Sequence, residues 1–292
     1  MQWGLIVVVI MFIVMLLWML SQAFRTRVET QEVWLDRLPA GFDGTRLFFI
    51  SDIHRRVIPD ELIEKCKAAG GADLVLIGGD MTEKGVPLER TRSNICKLGT
   101  IAPVYAIYGN HDYDIDMRVL DVLLREEGVK LLVNEHVVLE QRDGSVILLC
   151  GVDDPILERD SLQSALECDR NPLNEAGTET PFTLLLSHDP MIANRLEGQT
   201  IDLILSGHTH GGQIAMPLLG PIFRKKSILT FCAGWYDLPQ DRTTGYSGTR
   251  LFVSRGFGTS KLPLRSFAPA ESHLFILRSP KAAALSQSPL DR

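Results

Sequence analysis

The sequence predicts an α/β domain with its chemistry at the carboxyl ends of its strands, preceded by a membrane helix. Three observations carry that expectation. Six apolar runs of strand length stop at serine or glycine and lead within two residues to aspartate, asparagine or histidine; segments of helical character lie between many of them; and Trp3 to Leu20 holds no charged side chain. Strand, polar tip, helix, repeated, is the layout of a sheet whose site lies beyond its carboxyl edge.

The first element is the apolar run itself. At about 1.5 Å per helical residue it nearly covers the ~30 Å hydrocarbon core of a bilayer, and Trp3 and Trp18 sit near its ends, where interfacial aromatics belong. A cleaved signal peptide is the competing reading, since Ser21-Gln22-Ala23 resembles a cleavage site. Against it, no Lys or Arg precedes the run, which is longer than the usual apolar region of roughly 7–15 residues. Residues 1–24 are therefore read as an uncleaved single-pass anchor in the cell membrane. Arg25 and Arg27 follow it and nothing basic precedes it, which places the large domain in the cytoplasm by the positive-inside tendency.

Residues 25–44 read as a lead-in, and residues 45–278 as one catalytic domain. Arg46 to Ile50 runs into Ser51-Asp52-Ile53-His54, Ala72 to Ile77 into Gly78-Gly79-Asp80, and Pro103 to Tyr108 into Gly109-Asn110-His111-Asp112. Ser145 to Cys150 leads into Gly151-Val152-Asp153-Asp154, Phe182 to Leu186 into Ser187-His188-Asp189, and Leu203 to Leu205 into Ser206-Gly207-His208-Thr209-His210. Helical character marks Asp60 to Ala69, Leu88 to Leu98, Met117 to Glu127 and Pro190 to Leu196. Glu135 to Leu149 reads as a hairpin around Asp143-Gly144, so antiparallel strands are mixed in. Leu251 to Val253 and His273 to Leu277 are two further strands, and the tail 279–292 reads as disordered.

Composition narrows the classes. The 292 residues are 45% hydrophobic and 23% charged, with a net charge of -6. That acidic balance argues against coating nucleic acid, and no stable nucleic-acid partner is expected. Nucleic acid as a substrate stays open, because metal ions can supply positive charge. The cysteines, Cys66, Cys96, Cys150, Cys168 and Cys232, include no C-x-x-C pair, so neither a disulfide framework nor a zinc finger is implied.

Gathered at the strand ends are Asp52, His54, Asp80, Asn110, His111, His188, His208 and His210, which account for five of the seven histidines. Carboxylate, imidazole and amide oxygen make a ligand set that suits manganese, iron or zinc. His-x-His after a strand can splay towards two neighbouring points, which suits two ions better than one.

The motifs D-x-H, G-D, G-N-H-D, a separate His and G-H-x-H, in this order from Asp52 to His210, resemble those of the calcineurin-like metallophosphoesterases. The resemblance implies a four-layered α/β/β/α sandwich holding two divalent ions, manganese being the expected metal and iron or zinc compatible. It implies that Asp52, His54 and His210 hold one ion, that Asn110, His188 and His208 hold the other, and that Asp80 bridges them. Two dications about 3.5–4 Å apart need such a shared carboxylate, and a water between them is acidified towards hydroxide. On the same footing His111 donates a proton to the leaving oxygen or stabilises its charge, and Asp112 orients it. The implied reaction is direct attack of metal-bound hydroxide on phosphorus in a phosphodiester or pyrophosphate. No Ser or Cys sits in a nucleophile motif, which agrees with it.

His208-Thr209-His210 with Gly211-Gly212-Gln213, the block Gly151 to Pro155 and Val253 to Gly258 look like the membrane-associated bacterial branch. That branch includes proteins similar to a UDP-2,3-diacylglucosamine pyrophosphohydrolase, so a lipid-linked phosphorylated substrate is expected. Arg255 and Arg265 are candidates for bidentate phosphate contact, with surface ion pairs as the alternative. Arg55 and Arg56 are further candidates for substrate contact, and Glu83 stands where the family often has Asp. Asp153 and Asp154 read as structural, and Phe223-Arg224-Lys225-Lys226 as a solvated basic loop or a headgroup contact. The rival functions are a phosphodiesterase on soluble nucleotides or nucleic acid and a non-catalytic metal-binding membrane scaffold. The scaffold would be marked by a missing ligand or a missing His111, and neither is missing.

Overall fold

The computed structural model describes residues 2–167, 180–196, 198–217, 219–238 and 248–287. Helix α1 (Gln2–Ala23) opens the chain, followed by strand β1 (Val28–Trp34) and β2 (Arg46–Ile50). Then come α2 (Asp60–Ala68), β3 (Leu74–Gly78), α3 (Leu88–Gly99), β4 (Val104–Ile107), α4 (Met117–Glu126) and β5 (Lys130–Leu131). The second half runs β6 (Glu135–Glu140), β7 (Val146–Gly151), α5 (Leu162–Leu166), β8 (Phe182–Leu186) and β9 (Leu203–Ser206). It closes with β10 (Ala215–Met216), β11 (Gly220–Pro221), α6 (Lys226–Thr230), β12 (Gly234–Asp237), β13 (Arg250–Val253), β14 (Ser272–Arg278) and α7 (Pro280–Gln287).

Two six-stranded sheets result, ordered β1-β14-β2-β3-β4-β5 and β12-β13-β9-β8-β7-β6. In the first, β2, β3, β4 and β5 pair in parallel and β14 runs antiparallel to β2. In the second, β7, β8, β9 and β13 are parallel, flanked by antiparallel β6 and β12. Alternation along each strand sorts its side chains between layers. In β2, Phe48 and Ile50 pack with Leu62 of α2, Ile95 of α3 and Leu120 of α4, whereas Leu47 and Phe49 face the other sheet. There they meet Leu149, Leu186, Leu205 and Phe275 in the core between the sheets. Beyond the second sheet, Leu148, Leu185 and Ile204 pack against Ala165 of α5 and Ile192. The layers are α/β/β/α.

Apolar on every face, α1 buries only Ala23 against the domain. At 22 residues it is long and apolar enough to cross a membrane. The lead-in is more structured than its sequence suggests. It contains β1, an edge strand paired in parallel with β14, whose polar Glu29, Gln31 and Glu32 hide the pattern. The expected disordered tail likewise begins as α7, and residues 288–292 lie outside the described residues.

Candidate metal centre and active site

The parallel strands end on one edge, and the chain turns sharply there. Asp52, His54, Asp80, His208 and His210 all hold left-handed backbone, with φ of 54°, 51°, 52°, 67° and 51°. Asp and His tolerate this region better than branched or bulky residues do. Hydrogen bonds hold the turns in place, Asp52 N donating to Gly79 O at 3.0 Å and His54 N to Asp80 O at 3.0 Å. Two glycines allow the close approach. A Cβ on Gly109 would stand 2.4 Å from Asp80 Oδ1, and one on Gly207 2.4 Å from Asp52 Oδ2.

Two groups of ligand atoms converge in this space, Asp52 with His54 and His210, and Asp52 with Asp80 and His188, all of them buried. His54 Nε2 and His210 Nε2 face each other at 3.1 Å, and Asp52 Oδ1 is 3.4 Å from the latter. Asp80 Oδ2 lies 3.6 Å from His54 Nε2 and 3.2 Å from His188 Nε2, between the two groups. His208 joins through its ring, which meets the His188 ring edge-on at 5.2 Å, and its backbone N donates to Asp52 Oδ1 at 3.1 Å.

Proton positions make this a site for cations. His188 Nδ1 donates to Gly78 O at 2.8 Å, so in the neutral ring Nε2 turns a lone pair on the Asp80 carboxylate. On the other side, Glu83 Oε2 is 3.1 Å from His54 Nδ1, which leaves His54 Nε2 to face His210. Asn110 Oδ1 is buried without a hydrogen-bond partner. With His54 and His188 in their neutral forms, the converging imidazole nitrogens and carboxylate oxygens are all acceptors, a set that fits divalent ions.

The electrostatics divide the imidazoles: burial lowers His54 and His188, but Glu83 outweighs it at His54 and Asp80 at His188, so both are raised and give up a proton when they ligate metal. Burial raises the Asp52 carboxyl above its usual range, and Asp80 adds to the rise. Burial alone would do the same to Asp80, but His188 and His54 outweigh it and hold that carboxyl well below its usual range. His208 is pulled down to about 3 by burial and then by His188, and His210 falls well below its ordinary value through burial and His54. Both rings of the His-x-His pair are thus neutral near pH 7, the form that ligates metal.

His111 stands at the rim. Its backbone N donates to Asp80 Oδ1 at 2.8 Å, and its ring Nδ1 meets Asp114 Oδ2 at 2.8 Å. The expectation that Asp112 orients this ring does not hold. Asp112 is buried, accepts from the backbone N of Thr82 at 3.0 Å and of Gly109 at 2.9 Å, and so fixes the loop instead. Asp114 and Glu83 hold the imidazoles of His111 and His54, a role the sequence did not assign them: Glu83 stood out only by its place in the family pattern, and nothing in the sequence distinguishes Asp114 from other acidic loop residues.

The arginines divide. Arg55 pairs with Glu83 and lines a pocket of ≈ 300 Å³ with Lys84, His111, Asp114, Ser260 and Lys261. Arg255 reaches Glu271 Oε2 at 2.7 Å and stays partly exposed. Arg265 is neither a phosphate ligand nor a surface ion pair, for it is wholly buried. Its guanidinium donates to the carbonyls of Arg255 at 2.7 Å, Ala268 at 2.9 Å, His210 at 3.2 Å and Gly256 at 3.2 Å, and to that of Gly258. Arg56 is structural too, donating to Phe24 O and Arg25 O at 2.8 Å and lying over the Phe257 ring at 3.7 Å.

Stacked sheets with helices outside, and carboxylates and imidazoles converging at one strand edge, define a metal-dependent phosphoesterase. The chain belongs to the calcineurin-like phosphoesterase family, whose model matches residues 45–212. It is 37% identical over 238 residues to the Bacillus subtilis (strain 168) protein YpbG, covering 80% of this chain and 82% of that one. It is 26% identical to the phosphodiesterase YaeI of Escherichia coli (strain K12), covering 73% and 75%. The Haemophilus influenzae NAD nucleotidase NadN shares the fold, with a TM-score of 0.50 at 16% identity, covering 73% of this chain and 45% of that one.

Proposed function

We propose that this protein is a membrane-anchored hydrolase of a phosphodiester or pyrophosphate bond in a lipid-linked substrate, working with two divalent ions, manganese by preference. One observation carries the two-ion reading: Asp80 Oδ2 sits between His54 Nε2 and His188 Nε2, as a shared carboxylate must. Asp52, His54 and His210 would hold one ion, and Asn110, His188 and His208 the other. Bound there, the ions supply Lewis acidity towards the phosphate and acidify a water.

The chain's own residues do the rest. Asp80 accepts the His111 backbone N and so fixes the loop from which His111 works. With Nδ1 engaged by Asp114, His111 Nε2 is the nitrogen left to face the pocket and pass a proton to the leaving oxygen. Arg55, Lys84 and Lys261 line that pocket and would orient the phosphate. The diester reading is supported by the likeness to the phosphodiesterase YaeI. α1 with Arg25 and Arg27 behind it supports an anchor whose domain faces the cytoplasm.

The test uses the full chain in detergent, stripped with chelator and reloaded with manganese, against a chromogenic phosphodiester with and without lipid. Turnover should require metal and be lost in Asp80→Asn and His208→Ala. Full retention in either variant sinks the reading, and turnover indifferent to lipid favours a soluble nucleotide.

A further inference from the structure

The helix α1 does not leave the domain at an arbitrary point. Arg265 N donates to Met19 O at 3.2 Å and Ala270 N to Gln22 O at 3.0 Å, so the end of the helix lies along the loop 258–270. Phe267, in this loop, holds φ of 56°, a costly conformation for an aromatic residue, and sets its ring edge-on to Trp18 at 5.2 Å. The β10–β11 hairpin is fastened to the same loop. Ala215 N donates to Ser266 O at 2.9 Å, and Gln213 Nε2 donates to Ser260 O and Leu262 O at 3.0 Å each.

These joined loops expose apolar side chains that the domain does not use. Met216, Leu219, Ile222, Phe223, Leu262 and Phe267 are between 45% and 65% accessible. Exposed basic residues follow at once, Arg224, Lys225 and Lys226 after Phe223, with Lys261 beside Leu262. Ser260 and Lys261 also wall the pocket under His111.

We propose that the hairpin and the loop 258–270 form a lip that enters the surface of an anionic bilayer beside α1 and sets the mouth of the catalytic pocket at the headgroups. Two features choose lipid over a protein partner. Phe267 packs on α1 where that helix meets the domain, with the other apolar residues on its own loop or on the hairpin hydrogen-bonded to it, and the charges next to them in sequence are all positive, as an anionic leaflet requires. Side chains arranged in this way sit about 5–10 Å into the boundary of headgroup and acyl chain. A lipid-linked substrate would then reach His111 along Lys261 and Ser260 without leaving the membrane surface. The inference rests on the membrane reading of α1.

The full chain is reconstituted in vesicles of phosphatidylcholine and phosphatidylglycerol with the photocrosslinker p-benzoylphenylalanine in place of Phe223, Leu262 or Phe267. Phe12 in α1 serves as the positive position and Val122, exposed on α4, as the negative one. Lipid adducts are expected by mass spectrometry at the three lip positions and at Phe12, and none at Val122. Changing Arg224, Lys225 and Lys226 to Gln should lower the adduct yield at Phe223. Adducts at Phe12 alone overturn the lip and leave the anchor standing, as would crosslinks from the lip to a second protein chain. Adducts nowhere remove both. The readout needs no turnover, so its failure is distinct from failure of the hydrolase reading.

Discussion

Replacing Arg265 with Met keeps most of the side-chain volume and removes the guanidinium. Five carbonyls, buried on His210, Gly256, Gly258 and Ala268 and partly buried on Arg255, lose a charged donor at once. Taken singly at ~1–3 kcal/mol each, these losses overstate the effect, because the folded state no longer has to desolvate a cation. Burial pulls that guanidinium down only to about 10, so the group is charged at neutral pH and its desolvation is a real cost. The net expectation is that of breaking a buried charge network, about 3–5 kcal/mol, or a melting temperature lower by roughly 6–20 °C for a chain of this size. The site should suffer as well. The loop clamped by Arg265 includes Phe257, whose N donates to Ser51 O at 2.9 Å, and Gly258, whose N donates to Asp52 O at 2.7 Å. Metal affinity should therefore fall about 10–100-fold, as when a group supporting a ligand is lost. Thermal melts with and without manganese, and a metal titration of each form, measure both. An Arg265→Met protein that melts within about 2 °C of the parent and binds manganese equally well would refute the reasoning.

Two further predictions concern the carboxylates. Asp114→Asn should lower kcat about 10-fold by loosening the His111 ring while leaving the melting temperature unchanged, because Asp114 is half-exposed. Asp112→Asn should do the reverse first, costing about 1–3 kcal/mol of stability by setting an NH2 against one of the two backbone amides that donate to the carboxylate; equal melting temperatures for the two variants would contradict the division of roles. Glu271 makes acid stability testable. Burial pushes its carboxyl up, but His273 and Arg255 outweigh burial and hold it at about 2, against an ordinary 4.5. A depressed folded value stabilises above the ordinary one and fades as pH falls from about 4.5 through about 2, a span worth roughly 3 kcal/mol. Glu271→Gln should lose that increment at pH 7 and unfold with a flatter pH dependence below 4.5, as urea midpoints across the range would show.

How much of this was legible in the sequence depended on how a residue acts. β2, β8 and β9 were legible because buried parallel strands are continuous apolar runs, and Asp52, Asp80 and His188 because each follows such a run. β1 was not, since an edge strand with one solvated face alternates weakly and is set by its pairing with β14, which lies at the far end of the chain. Arg265 was misread for a related cause. Nothing near it in the sequence shows that Met19, His210 and Gly258 converge on its position, so a buried clamp looked like a surface arginine. The Asp112 error has the same origin, because a carboxylate adjacent in sequence to His111 points to Thr82, and the one two residues further on reaches the ring.

The left-handed turns at the candidate ligand positions bear on why the signal in the sequence is concentrated there. Each non-glycine residue in that conformation costs roughly 1–2 kcal/mol, and five such residues stand among the candidate ligands. A cost of that size is not a by-product of strand packing, because the parallel strands could end in ordinary turns without it. It is tolerated where the backbone must reverse within one residue so that side chains from β2, β3 and β9 meet at a point, and hydrogen bonds such as His54 N to Asp80 O fix the result. The requirement favours Asp, Asn, His and Gly, and the five positions hold Asp or His. The chemistry of metal ligation and the geometry of the turns therefore favour the same few residue types, which concentrates the signal at the strand ends and leaves little of it in the residues that hold the turns from behind.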